Sequence, residues 1–450
     1  MINKKTWLSF FLIACLFCIG AVIGFPQNAA ASGTSDIRQL QELIERATPG
    51  ETVKLPGGIY EGKLSIDKSV HIVAEEDVHI VNKGNEPAIT VYADDVRIEG
   101  LRITQDSKEE SAAVLISSKD SQVSGLKIET RTFGILLRDA ERNDIRDNRI
   151  VWLDDPSRPA VKMSEKRNGI DLYQSNDNRI EFNEVAGMND GIYLESSHRN
   201  LVENNRVDHS RYGIHCMYTE GTVVRDNSGK FNITGAMIMG VQGAEVSGNT
   251  FVKQSESVNS QGLLLFDVQT SRIHSNKVEG NRVGLYIEQS QENEFWNNDV
   301  NQNFIGIQLL ESDGNRFSGN RFIANVIEAE ATDSIDNELY GNFWDSFRGI
   351  DTDKDGLSDI SYGINPFFQR LTADTPAYQL FFQSPGMVFL ESMLASGRAE
   401  WTTDISPLMG PGDAASEAGG SSNDWRLAAI SLLLLGAATT IILLAGVRKS

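Results

Sequence analysis

A short phrase, glycine followed by an apolar residue, any residue and a second apolar residue, returns along this chain every 22 positions. It stands at Gly169-Ile170-Asp171-Leu172, Gly191-Ile192-Tyr193-Leu194, Gly213-Ile214-His215-Cys216 and Gly235-Ala236-Met237-Ile238. After a five-residue insertion it resumes at Gly262-Leu263-Leu264-Leu265, Gly284-Leu285-Tyr286-Ile287 and Gly306-Ile307-Gln308-Leu309. An asparagine ladder keeps step with it through Asn183, Asn205, Asn227, Asn249, Asn276, Asn298, Asn320 and Asn342. A unit this short cannot bury its own apolar face, so successive units must stack to make a core.

From Val53 onward, apolar pairs two residues apart (Val53/Leu55, Leu64/Ile66, Ile89/Val91, Val96/Ile98) read as short strands with one face inward. Three such strands per repeat predict an all-β fold, a right-handed parallel β-helix over residues 51–345. The asparagines read as turn residues that tolerate the left-handed conformation and hydrogen-bond along the stack. Ahead of the coils, within residues 34–50, Asp36 to Ala47 places Ile37, Leu40, Leu43 and Ile44 on one helical stripe. Ser35 or Asp36 is the expected cap and Pro49-Gly50 the stop, giving a helix that covers the first coil's open edge. Three loops interrupt the repeat, Gln105 to Ser111, Asp154 to Asn168 and Gln254 to Ser260, and excursions of this kind commonly serve recognition.

The two ends of the chain read as membrane signals. Residues 1–31 combine Lys4 and Lys5, an apolar stretch and Ala29-Ala30-Ala31, the layout of a cleaved secretory signal. Leu12-Ile13-Ala14-Cys15 also resembles a lipoprotein cleavage box, and an uncleaved anchor is the third alternative. Residues 410–424 read as a flexible linker. Residues 427–447 are an uncharged apolar run long enough to span a bilayer, followed at once by Arg448-Lys449. Positive charge on the cytoplasmic side then places the body on the extracytoplasmic face. Only Cys216 lies outside the signal region, so no internal disulfide can form. A formal net charge of −21 and no basic stripe argue against nucleic acid as a partner.

The repeat also aligns side chains. With the two apolar residues of each phrase pointing inward, one outward column reads Asp171, Tyr193, His215, Met237, Leu264, Tyr286. Its neighbour reads Tyr173, Glu195, Met217, Met239, Phe266, Glu288. His215, Met217, Met237 and Met239 thus form a block across two coils, extended by Leu264 and Phe266. An exposed apolar band marks a contact surface, with Tyr193 at its edge. Imidazole beside thioethers also suits Cu(I), with His209 at a nearby corner. Cys216 points inward as a small core residue.

Beyond the last coil, Asp351, Asp353, Asp355 and Asp359 repeat the first part of a calcium-binding loop. Tyr362 stands where the bidentate acid of such a loop belongs, so the expectation is a weaker Ca²⁺ or Mg²⁺ site bracing the C-terminal region. Residues 346–409 are a cap on the final coils or a docking tail, with Phe381, Phe382 and Met387 among many apolar residues. Secreted β-helices often act on acidic polysaccharides, but such chemistry needs converging carboxylates or a carboxylate and a base. Asp171 and Glu195 show no partner, so no catalytic residue is assigned; a carbohydrate-active lyase, hydrolase or epimerase is the alternative reading.

Arg211-Tyr212-Gly213-Ile214-His215-Cys216-Met217-Tyr218-Thr219 resembles a Gly-Ile-His-x-Met-Tyr segment of the NosD family. Gly341-Asn342-Phe343-Trp344-Asp345, the Asp-rich loop, Leu380 to Met387 and Ser406-Pro407-Leu408-Met409 are similar to that family's later signatures. The resemblance covers roughly residues 34–409. It implies a non-enzymatic, extracytoplasmic β-helix component of an ATP-binding-cassette transporter complex that matures nitrous-oxide reductase at its copper–sulfur centre. The implied partners are the permease and its ATPase, the reductase, and a copper chaperone. Cys216 replaces a bulkier residue of the family, and the C-terminal anchor is not general in it.

Overall fold

The computed structural model describes residues 34–411, apart from 108–109, 255–256, 258–259, 367–370, 373–374, 382–383 and 394–400. The signal region and the apolar run 427–447 lie outside the described residues, as does nearly all of the 410–424 linker. Among the described residues no helix is long and apolar enough to cross a membrane.

The chain winds through three sheets of 14, 12 and 15 strands, parallel throughout except where Tyr362–Gly363 pairs antiparallel with Thr403–Asp404 at the end of the third. Each 22-residue coil contributes one strand to each sheet, so Val202 pairs with Val224 and that with Val246 up one sheet. The inward residues form one continuous core, from Leu40 and Ile44 at one end to Trp344 and Ile364 at the other. Burying each aliphatic side chain of this kind contributes about 1.5–3 kcal/mol relative to leaving it exposed. Toward the C-terminal end the core turns aromatic, with Phe295 stacked on Phe317 and Phe322 on Trp344.

The glycine ladder has a steric cause. A Cβ built on Gly191 would lie inside Val207 Cγ1 and 2.6 Å from the carbonyl oxygen of Gly213. The same close approach to the next coil recurs at Gly169, Gly213, Gly235, Gly262, Gly284 and Gly306. A side chain there would push the coils apart.

The asparagine ladder is one of three. Asn227 donates both its backbone N–H (2.9 Å) and its Nδ2 (3.0 Å) to Asn249 Oδ1, and its Nδ2 also reaches the Val202 carbonyl at 2.8 Å. The second corner repeats the pattern through Asn143, Asn178 and Asn200 and again through Asn293, Asn315 and Asn337. The third does so through Asn281, Asn303 and Asn325, with Gln254 in the rung before. These asparagines do not hold the left-handed conformation expected of them. The residue just before each one does: Phe182, Asn204, Asp226, Ser275 and Asn297 have φ of 53–56°. The amide is thereby freed to bond along the axis.

At the N-terminus the helix spans Arg38–Arg46, shorter than expected. Leu40 and Ile44 are buried against the first coil, whereas Leu43 is 38 % exposed and leaves the stripe. Ser35–Asp36 pairs as a strand with Tyr60 and Glu61, and Asp36 Oδ1 accepts the Arg38 N–H at 2.9 Å.

At the other end the chain returns. Thr403–Asp404 joins the 15-stranded sheet beside Glu338–Tyr340. Asp404, fully buried, takes the place of a further asparagine: its Oδ2 accepts Asn342 N, Asn342 Nδ2 and Trp344 Nε1 at 3.1, 2.9 and 3.1 Å.

Candidate functional site

Strand register reproduces the two outward columns. On the 12-stranded sheet Asp171, Tyr193, His215, Met237, Leu264 and Tyr286 pair in succession, and so do Tyr173, Glu195, Met217, Met239, Phe266 and Glu288. Met217, Met237, Met239, Leu264 and Phe266 are half-buried. His215 differs from expectation: it points outward yet is only 6 % exposed. Cys216 faces inward, and burial pushes its thiol up to about 12.

What buries His215 is a polar cluster. Its Nδ1 lies 2.9 Å from Asp190 Oδ2, and Arg211 clamps the same carboxylate through Nε and Nη2 at 2.9 and 2.8 Å. The rings of Tyr193 and Tyr212 flank the imidazole, each 4.9 Å away centre to centre. His215 Nε2 is buried with no hydrogen-bond partner among the described residues. Tyr193 donates to Glu195 Oε2 at 2.9 Å and reaches Met217 Sδ at 3.9 Å.

One coil below, Asp171 is held by Arg138 Nη1 at 2.7 Å and Asn168 Nδ2 at 2.7 Å. Asp171 and Glu195 thus have structural partners, Arg138 with Asn168 for the first and Tyr193 for the second, and none of these is a second carboxylate or an imidazole. Burial raises the carboxyl of Asp171, against the pull of Arg138. Burial would raise Asp190 too, but hydrogen bonds from His215 and Arg211 outweigh it and hold that carboxyl below its ordinary value.

Asp190 went unassigned because the Gly-apolar-x-apolar phrase starts one residue too late. The ladder pairs Asp190 with Tyr212 and resumes at Ile192 with Ile214, passing over the glycines. The residue before each glycine is thus another cross-strand position, polar at Asn168, Asp190, Thr234 and Gln261, aromatic at Tyr212, and apolar further up at Val283 and Ile305. Arg211 is adjacent in sequence, but its aim at Asp190 is a tertiary matter.

Further up the same face the column runs on through Gln308 and Glu330. Gln308 Nε2 donates to Glu330 Oε2 at 3.0 Å. Burial drives Glu330 up to about 7 from an ordinary 4.5. The folded state then holds its proton more tightly than the unfolded chain, so stability falls as pH rises from 4.5 to about 7. The expected loss from this group is about 3 kcal/mol across that window. Glu330→Gln should flatten this part of a pH series of urea unfolding curves; an unchanged slope would place the titration elsewhere.

The three loop excursions share one corner, where the chain leaves the 14-stranded sheet for the 12-stranded one. The 154–168 excursion is tied to the loop below it by Arg158, whose Nη1 and Nη2 each lie 3.0 Å from Asp106. Its last residue, Asn168, is the one that holds Asp171. The polar cluster thus lies on the coils between the second and third excursions.

At the Asp-rich loop the carboxylates of Asp351, Asp353 and Asp355 lie within 4.8 Å of one another. Asp359 is not with them: its Oδ2 accepts Thr352 N and Oγ1 at 2.8 and 2.7 Å. The loop is stitched to the returning chain by Ser358 N to the Pro407 carbonyl and Met409 N to the Gly356 carbonyl. The alternatives of cap and tail therefore divide, with residues 401–409 packed on the final coils. Phe381, 54 % exposed, ends the 3₁₀ turn Pro376–Phe381, and the helix Pro385–Met393 carries Met387 in its backbone and an exposed Phe389. Phe382 lies outside the described residues.

A long parallel β-helix with a built polar cluster and a thioether-rich band on one outward face defines the class of protein. Residues 76–228 match a model described as a right handed beta helix region. Residues 156–349 match the family described as periplasmic copper-binding protein (NosD), and over these coils the NosD resemblance read from the sequence holds. A "Probable ABC transporter binding protein NosD" of Stutzerimonas stutzeri is 27 % identical over 142 residues, 30 % of this chain and 31 % of the relative. The chain thus spans about a third of the curated relative it matches. Among solved structures, a mannuronic acid specific polysaccharide family 6 lyase from human gut microbiota has a TM-score of 0.53 at 14 % identity, over 69 % of this chain and 85 % of that one. An alginate lyase in complex with G6 gives 0.51 at 13 % identity, over 70 % and 86 %. At such identity these two share the fold alone.

Proposed function

We propose that the protein is a non-enzymatic, extracytoplasmic scaffold of an ATP-binding-cassette transporter complex that matures nitrous-oxide reductase. In this reading the reductase docks on the outward face of the 12-stranded sheet. The observation that carries it is the run of Met217, Met237, Met239, Leu264 and Phe266 over three successive coils, inside the stretch that matches the NosD family. Contiguous apolar side chains on an outward sheet face mark a contact surface. The exposed Phe381 and Phe389 are assigned to the permease, and the apolar run 427–447 to the membrane. Purified full-length protein should retain the reductase in a pull-down, and Leu264→Asp with Phe266→Asp should abolish retention. Retention unchanged by the double variant would sink the docking face.

Two ion sites belong to the same proposal. His215 with the three methionines is assigned to Cu(I), and a Met217, Met237, Met239→Leu triple variant should lose Cu(I) stoichiometry. Asp351, Asp353 and Asp355 are assigned to Ca²⁺ or Mg²⁺.

A second reading is favoured by one observation. Asp190 and His215 form a carboxylate–imidazole pair, the convergence that a carbohydrate-active enzyme requires. Turnover of uronic-acid polymers by the purified protein, lost in His215→Gln, would establish it in place of the scaffold.

A further inference from the structure

We propose that Glu328 and Asp345 share one proton, and that this proton is a switch holding residues 345–362 against the last coil. Glu328 stands 22 residues after Gly306, at the next rung of the glycine ladder. The 12-stranded sheet ends with its strand, Ile327–Thr332, so no further coil forbids a side chain there. Glu328 is 6 % exposed, and its carboxyl is met by the chain beyond the coils. Oε1 accepts Ser346 N at 2.9 Å, and Oε2 accepts Ser346 Oγ at 2.7 Å and the Tyr362 hydroxyl at 3.0 Å. Asp345 answers in the other direction. Gln302 N donates to the Ile323 carbonyl one coil on, whereas Ala324 N, a rung later, meets Asp345 Oδ2 at 2.6 Å instead.

The two carboxyls lie within hydrogen-bonding reach of each other. An ionised carboxylate only accepts, so the pair can bond only while one member holds a proton. Among the described residues neither carboxyl forms an ion pair, and Arg348 Nη1 donates to the Asp345 and Phe347 carbonyls. The other acids of the packed elements have their own partners. Glu330 accepts from Gln308 and is drawn down by Arg282, and Asp404 accepts from Asn342 and Trp344. Burial, and after it the Asp345 carboxyl, drives Glu328 up to about 7 from an ordinary 4.5. A raised pKa in the folded state keeps the clasp closed below about 4.5 and loses it as pH rises through about 7. Once the proton leaves to solvent, two negative charges stand side by side and the Ser346 and Tyr362 contacts loosen. Tyr362–Gly363 pairs with Thr403–Asp404, so the returning chain loosens with them.

The test is limited proteolysis of the full chain in detergent at about pH 5.5 and about pH 8.5, on either side of the titration. An unstructured peptide in the same tube corrects for the protease. Cleavage between residues 345 and 401 should be at least about tenfold faster at the higher pH, because cleavage tracks the open population. Glu328→Gln keeps an acceptor oxygen and donates permanently to Asp345, so it should be cleaved slowly at both. Asp345→Asn should remove the pH step in the same way, and Glu330→Gln, outside the pair, should keep it. Melting curves at the lower pH, matched to wild type, show that a variant is folded; where one member of the pair is not, the other decides. Wild-type rates that agree at the two pH values would overturn the switch. So would a step that survives in a folded Glu328→Gln or Asp345→Asn variant, or one that vanishes in Glu330→Gln.

Discussion

Gly191→Ala is expected to destabilise the β-helix by about 3 kcal/mol or more, although it adds a single methyl group. The new Cβ would meet Val207 on the facing strand and the carbonyl oxygen of Gly213, 2.6 Å away on the next coil. A side chain can rotate away, but a carbonyl in a parallel ladder cannot move without breaking the register of both coils. Gly341→Ala is the control. It has no atom within 4 Å of the added methyl group, and its only penalty is a φ of +66°. That variant should lose about 1–2 kcal/mol. Urea midpoints of the two variants against wild type give the comparison; equal losses would show that backbone conformation, and not coil spacing, explains the ladder.

Asp404→Ala should cost about 3–5 kcal/mol and loosen the C-terminal end first. Three buried donors, Asn342 N, Asn342 Nδ2 and Trp344 Nε1, would lose their shared acceptor. Asp404→Asn keeps an acceptor oxygen in the geometry that each earlier asparagine offers to the coil before it, and should cost about 1 kcal/mol. Limited proteolysis is the readout. Early cleavage between residues 345 and 401 in the alanine variant is expected, with the earlier coils protected, because a solenoid loses structure from its ends. A cleavage pattern like wild type would mean that the returning segment contributes little to closing the stack.

Several parts of this architecture are legible in the chain. The period fixes which residues are neighbours one coil apart, so the columns through His215 and Met217 follow from counting, as does the inward direction of Cys216. The asparagine ladder that includes Asn205 is equally plain because none of its rungs from Asn183 to Asn342 is substituted. The two companion ladders are less visible because other residues fill some rungs, Gln254 in one and Ser271 in another. The left-handed corners leave only a partial compositional trace: glycine, asparagine or aspartate fills them at Asn204, Asp226, Gly248, Asn297, Gly319 and Gly341, but Phe182 and Ser275 hold the same conformation.

The site shows the same division. A period-two reading identified Met237, Leu264 and the other members of two columns but passed over Asp190, since the glycine that follows it breaks the alternation. It placed His215 outward but could not reveal that Asp190, Tyr193 and Tyr212 enclose it. It grouped Asp359 with Asp351, Asp353 and Asp355 by spacing, while Thr352 captures Asp359 through two hydrogen bonds.

By itself, the sequence determined the solenoid, its period and which side chains stand above one another, because a repeat that cannot fold alone must stack in register. Tertiary structure decided the rest: the steric need for the glycines, the closing of the asparagine ladder by Asp404, and the burial of His215. Each depends on atoms from separate coils or from the returning chain meeting at hydrogen-bond or contact distance. Periodicity sets the neighbours, but only the packed coils set those distances.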